Sequence, residues 1–212
     1  MPCRRPLPAS FYRRDTEVVA RDLLGCRLTR RLPDGSTRSV ILVETEAYLG
    51  VKDRAAHTWN GRRTARVEPM WGEGGYAYVY FVYGMHFCLN VVTRRAGVPE
   101  AVLLRAGVPE ELWSESRRTP SLPSKKIPGF LLAAGPAKLC EYLHVTKELT
   151  GISLSGPELI LSRGPRARFD VLTGSRVGVD YAGETAAWPL RFAVADCPAV
   201  TWRRRLLIPT AS

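Results

Sequence analysis

The stretch AYVYFVYGMHFCLNV, residues 77–91, carries the reading of the fold. Tyr78 and Tyr80 alternate with apolar neighbours, the period of two expected of a strand. Tyr83-Gly84 marks a bend, and the residues beyond it are again strand-like, so the stretch is expected to form an antiparallel hairpin. A tyrosine at the apex of that hairpin would face water, where its ring packs against nothing. Either it is an ordinary buried tyrosine next to a turn, or its packing comes from outside the chain.

Working outward, AVLLRA at 101–106 reads as a short buried strand, with Arg105 set among apolar residues. An arginine there needs a carboxylate partner, because an unpaired buried charge is costly. Toward the N-terminus, Asp15 to Leu24 reads as a helix. Asp15 caps it, Val18, Val19, Leu23 and Leu24 form its apolar face, and Gly25 suits its end. CRLTRRL, the turn Pro33–Gly35 and RSVILVETEAY make a second antiparallel hairpin. On its second strand Val43, Thr45 and Ala47 face one way and Glu44, Glu46 and Tyr48 the other.

Residues 50–75, rich in Gly, Arg and Pro, read as a loop. Residues 107–129 do so too, and within them SESRRTPSLPSKKIPG is linker-like, expected to be exposed or disordered. Pro136 opens a helix through Lys138, Leu139 and Leu143, and PELILS, SRVGVD and LRFAV read as further strands. No internal repeat or heptad is present. The expectation is one α/β (mixed α+β) domain over residues 1–212, dominated by antiparallel sheet.

Composition bounds the function. The chain has 212 residues, with 31 Lys and Arg against 20 Asp and Glu, a formal charge of +11. That excess points to a polyanion such as nucleic acid or to an anionic membrane surface, the alternative being an Arg-rich surface that is merely well solvated. Five scattered cysteines without a CxxC pair support neither a zinc ribbon nor a disulfide framework, and His57, His86 and His144 lack metal-ligand spacing. No apolar run approaches the ~20 residues that span a bilayer. The N-terminus MPCRRPLPASFYRR has charge but no apolar segment after it, so an intracellular, reducing setting is expected.

Glu44 and Glu46 sit two apart on one strand face, which is usually the wet face; Tyr48 lies beside them and a lone histidine follows in AAH. A pair of Arg105 with one of these glutamates could be purely structural, or it could position a general base.

VETEAYLG, AAH, YVYFVYGMHFCLNVV, VLLRA, GPAKLC and VGVDYAGE…PLRF occur in this order over nearly the whole chain. Together they resemble the alkyladenine (3-methyladenine) DNA glycosylase family, the kind unrelated to helix-hairpin-helix glycosylases. The resemblance implies a curved antiparallel sheet with a protruding hairpin, and hydrolysis of the bond between a damaged purine and deoxyribose. Base flipping costs a few kcal/mol, and the gap it leaves invites a wedge. By similarity Tyr83, with Met85 beside it, is the DNA-intercalating group. Tyr48 and His57 are expected on one side of the flipped base and Tyr80 on the other, a stack suited to cationic alkylated purines. Asn90 matches the position that narrows the pocket against the 2-amino group of guanine.

The same carry-over makes Glu46 the general base that activates water at C1′ and Arg105 the residue that holds Glu46 and that water in line. Glu44 is either a supporting contact or a solvated carboxylate. No lysine nucleophile, metal or cofactor is implied. The implied partner is double-stranded DNA bearing a damaged purine, met by a monomer, with no membrane. The loop MWGEGG, the TWNG after His57 and His86 depart from the mammalian form, and YGMH and the short N-terminus resemble bacterial members. A non-catalytic nucleic-acid module would explain the charge but has no use for Glu46 beside Arg105. A zinc deaminase needs HxE and PCxxC, and this sequence has neither.

Overall fold

The spine of the fold is the strand that carries VETEAY. The computed structural model describes residues 5–82, 84–116, 129–165, 168–201 and 206–209, without the side chains of 114–116 and 206–209. In chain order the elements are α1 (Ala9–Tyr12), α2 (Thr16–Asp22), β1 (Arg27–Arg31), β2 (Thr37–Tyr48), β3 (Ala77–Val82), β4 (His86–Thr93) and β5 (Glu100–Pro109). There follow α3 (Glu110–Ser116), α4 (Pro136–Tyr142), β6 (Leu159–Ser162), β7 (Val171–Gly174), β8 (Arg191–Val194) and β9 (Leu206–Pro209). Among the described residues the nine strands make one sheet, in the order β3-β4-β5-β2-β8-β7-β9, with β1 paired to β2 and β6 to β1. Every pairing is antiparallel. The mixed architecture expected from sequence is the one observed.

Local chemistry explains the joints. Asp15 caps α2 by accepting a bond from the Glu17 N–H at 3.0 Å, as expected. In the β1–β2 turn Asp34 accepts from the Ser36 N–H and hydroxyl, and Gly35 takes the left-handed φ of +84° that its neighbours avoid. β2 is central, and Val40, Ile41, Leu42 and Val43 are all buried. Its Thr45 hydroxyl donates to the Ala20 carbonyl of α2, so that helix covers the face opposite the glutamates. Val18, expected on the apolar face of α2, is instead exposed; Val19 and Leu23 carry the contact.

Two further expectations are corrected. Residues 107–116, read as exposed loop, complete β5 and form α3, whose Trp113 is 1% exposed. Burying an aromatic ring gives a short, charged helix its place, at ~25 cal/mol per Å² of apolar area. The rest of the expected loop, 117–128, lies outside the described residues. SRVGVD is not a strand. Gly178 has φ of +74°, the chain turns there, and the strand lies just upstream as β7.

Among the described residues, no helix is long and apolar enough to cross a membrane.

Candidate active site

The pairing of β2 with β5 is regular except where the chemistry lies. Leu42 pairs with Gly107, Glu44 with Ala106 and Thr45 with Leu104, so Val43 and Arg105 drop out of the ladder together and the register then recovers. Irregularities of this kind re-aim side chains. Here they turn Arg105 of β5 onto the two glutamates of β2. Neither glutamate is on a wet face, since both are fully buried.

Glu46 has three donors. Its Oε1 accepts from the Val177 N–H at 2.8 Å and lies 3.2 Å from Arg105 Nη1, and its Oε2 accepts from the Tyr48 hydroxyl at 2.9 Å. Burial, and then the Glu46 charge, push the Tyr48 phenol well above its ordinary range, so it stays protonated and donates. Glu44 is held more tightly. Arg105 Nε reaches its Oε1 at 2.7 Å and Arg191 Nε reaches the same oxygen at 2.8 Å. The Thr201 N–H donates to Oε2 at 2.8 Å. Glu44 is therefore the supporting contact, and the solvated alternative is excluded. Burial opposes the Arg105 charge, but Glu46 and Glu44 outweigh it and raise its pKa.

In front of this cluster is a cavity of about 370 Å³, within the size range of small-molecule sites, with Tyr48, His57, Tyr80, Asn90 and Arg105 in its walls. Glu46 is not among the lining residues, but its carboxylate touches two that are, Tyr48 and Arg105. His57 and Tyr80 meet edge to face with ring centres 4.5 Å apart. Rings in edge-to-face contact leave no slot between them for a base. His57 Nδ1 is 2.9 Å from the Tyr78 hydroxyl, and burial, helped by Arg66 and Arg62, lowers its pKa to about 4, leaving the ring neutral. Asn90 is buried; its amide donates to the Tyr78 carbonyl at 3.1 Å, directly across the hairpin.

The back of Tyr48 rests on an unforeseen group. Arg176 places its guanidinium 4.7 Å from the ring centre. Fully buried, it forms a two-pronged ion pair with Asp53 and donates to the carbonyls of Ala47 and Thr185. Asp53 in turn accepts from the Leu49 and Ala55 N–H groups at 3.0 Å.

The 77–91 hairpin is β3 and β4, with Val82 opposite His86. Met85 at its tip is 69% exposed, and Phe81 and the cavity-lining Tyr181 are also exposed. Tyr83 lies outside the described residues. Arg66 donates to the Phe81 carbonyl at 3.2 Å and sits 5.9 Å from the Tyr80 ring, and Arg54 lies over the exposed Trp59 at 5.4 Å. Cations interleaved with aromatic rings suit a phosphate backbone with bases beside it.

Sequence reasoning missed Asp53, Tyr78, Arg176, Arg191 and Thr201. The signal that marked Arg105, a charge inside an apolar strand, was equally present for Arg191 in LRFAV. Nothing local marked Asp53 or Thr201.

A family model described as methylpurine-DNA glycosylase matches residues 10–198. A relative from Desulfitobacterium hafniense is 44% identical over 201 residues, covering 92% of this chain and 98% of its own. Another from Methanocella arvoryzae is 45% identical, covering 93% and 96%. A third, from Bdellovibrio bacteriovorus, is 42% identical over 194 residues, covering 90% and 95%. Each carries the provisional name 3-methyladenine DNA glycosylase.

Proposed function

Because the chain belongs to the methylpurine-DNA glycosylase family, a family of base-excision repair hydrolases acting on N-glycosyl bonds, we propose that Glu46 is the general base with which it releases damaged purines from duplex DNA. The observation that carries this reading is the fully buried Glu46 carboxylate, fixed by Tyr48, Val177 and Arg105 behind an aromatic cavity. A carboxylate has about four acceptor sites, and three are occupied here. The fourth, on Oε2, takes the water. Glu46 removes its proton as it attacks C1′, and the carboxylate charge steadies the oxocarbenium-like sugar. Arg105 keeps the carboxylate from turning.

The flipped base enters between Tyr48 and the His57–Tyr80 pair, with Asn90 against its edge. Flipping is favoured by Tyr83, which fills the hole left in the stack, with the exposed Met85 beside it. Substrates are alkylated or deaminated purines of the 3-methyladenine, 7-methylguanine, hypoxanthine and ethenoadenine class, and a monomer acts on the duplex without metal or cofactor. The test is release of free base from an alkylated duplex oligonucleotide, with and without chelator, scored also for strand breaks. Base release that survives chelation and leaves intact abasic strands supports the reading. Tight binding without release, or release only with strand scission, refutes it.

A further inference from the structure

The buried charges behind the cavity form a quartet, two carboxylates (Glu44, Glu46) and two guanidiniums (Arg105, Arg191), and the proposed mechanism uses only one of each. Arg105 divides its donors three ways: Nε to Glu44 at 2.7 Å, Nη1 toward Glu46 at 3.2 Å, and Nη2 to the Thr201 hydroxyl at 3.1 Å. The shorter contact is with the carboxylate that does no chemistry. Glu44 is fixed in that role by Arg191, which shares the same oxygen, and by Thr201, whose hydroxyl is 3.0 Å from both of its oxygens. A hydroxyl has one proton to give and lone pairs to accept with, so Thr201 donates to Glu44 while accepting from Arg105. Thr201 lies past the residues matched by the family model.

We propose that Thr201 is a positioning residue: by locking Glu44 onto Arg105, it keeps the guanidinium from closing fully on Glu46 and so leaves that carboxylate an oxygen with which to take the water's proton. The inference rests on the reading of Glu46 as general base. A guanidinium free to turn would pair with Glu46 through two N–H groups, and so strong a pair favours the anion and weakens the base. The other groups facing Glu46 do not offer that alternative. Tyr48 on its own strand is a neutral donor, and Tyr80 on β3 and Cys88 on β4 are held in their neutral forms chiefly by burial. Arg176 is taken up by Asp53, and Arg191 by Glu44.

The experiment compares Thr201→Val, which keeps the shape, with Thr201→Ser, which keeps the hydroxyl. Both are measured in single-turnover excision of hypoxanthine from a duplex oligonucleotide between pH 5 and 8, alongside lesion-DNA affinity and thermal midpoint. Thr201→Val is expected to slow excision about ten- to a hundredfold, as for loss of a hydrogen bond to charged groups, and to move the acid limb of the profile to lower pH. Affinity should hold, and Thr201→Ser should restore both rate and profile. Wild-type rate and profile in Thr201→Val overturns the proposal. So does an equal loss in both variants with an unmoved acid limb, which marks a structural role. A Glu46→Gln control separates the two ideas, since full activity in that variant removes the general base itself, whereas an inactive control beside a normal Thr201→Val removes only the positioning role.

Discussion

Replacing Glu46 with glutamine isolates the charge from the shape. In the native site Oε1 receives the Val177 N–H and Arg105, and Oε2 receives the Tyr48 hydroxyl. A glutamine has one orientation that fits: its carbonyl takes the place of Oε1, and its NH₂ takes that of Oε2 and donates to the Tyr48 oxygen. One hydrogen bond reverses and none of the three is lost. Arg105 keeps Glu44 and Thr201 as partners, but Glu44 must then answer two buried guanidiniums, Arg105 and Arg191. The folding cost is therefore that of an under-compensated buried charge, up to about 3–5 kcal/mol, and the thermal midpoint should fall. Loss of the base and of the anion beside C1′ is a different matter, roughly 10²–10⁴ in rate, or about 2.7–5.4 kcal/mol of barrier. The assay is single-turnover release of hypoxanthine from a duplex with enzyme in excess, with affinity measured by titration on the same duplex. Affinity should stay within a few-fold of wild type while the rate collapses. A variant that still excises at near-wild-type speed refutes the assignment, and one that loses binding and rate together shows that Glu46 is structural.

Asn90→Ser shortens the wall across from Tyr78 and should raise excision of guanine-type relative to adenine-type lesions roughly tenfold or more; an unchanged ratio on paired oligonucleotides removes Asn90 from that role. Folding stability should fall as pH drops from about 6.5 to about 4, because the unfolded chain protonates His57 in that window while the folded ring stays neutral. The loss is at most roughly 3 kcal/mol, and urea titrations across that range should show a shallower fall in His57→Asn than in wild type. Tyr83→Ala should slow excision about ten- to a hundredfold in well-paired duplexes and hardly at all in single strands, where no hole exists; equal slowing in both means that the ring supports the fold.

What could be read in the sequence follows the reach of local physics. The period of two in VETEAY placed Glu44, Glu46 and Tyr48 on one face, and that face holds the buried charge cluster of the candidate site. The turn at Pro33–Gly35 and the cap at Asp15 rest on neighbours and were legible for that reason. Whether the face was wet was not legible, because the groups that bury it come from far along the chain: Val177, Arg191 and Thr201 are 131, 147 and 157 residues from the glutamates they touch. SRVGVD alternates as a strand does, yet its Arg176 is anchored to Asp53 and Gly178 turns the backbone. In residues 107–116 the run of glutamates and serines concealed one tryptophan that is almost fully buried.

Tyr48 shows how charge can be discounted in advance. A π-cloud drawn toward a cation on one side has less electron density to offer on the other, and Arg176 already lies 4.7 Å from the ring centre. On the proposed reading, in which a flipped purine stacks on the open side of Tyr48, a cationic base gains less there than it would over a ring with no cation behind it. Methylated bases that carry a positive charge then lose part of their advantage over deaminated or bridged bases that do not. Discrimination would shift toward outline and hydrogen-bonding edge, where Asn90 and His57 are proposed to act.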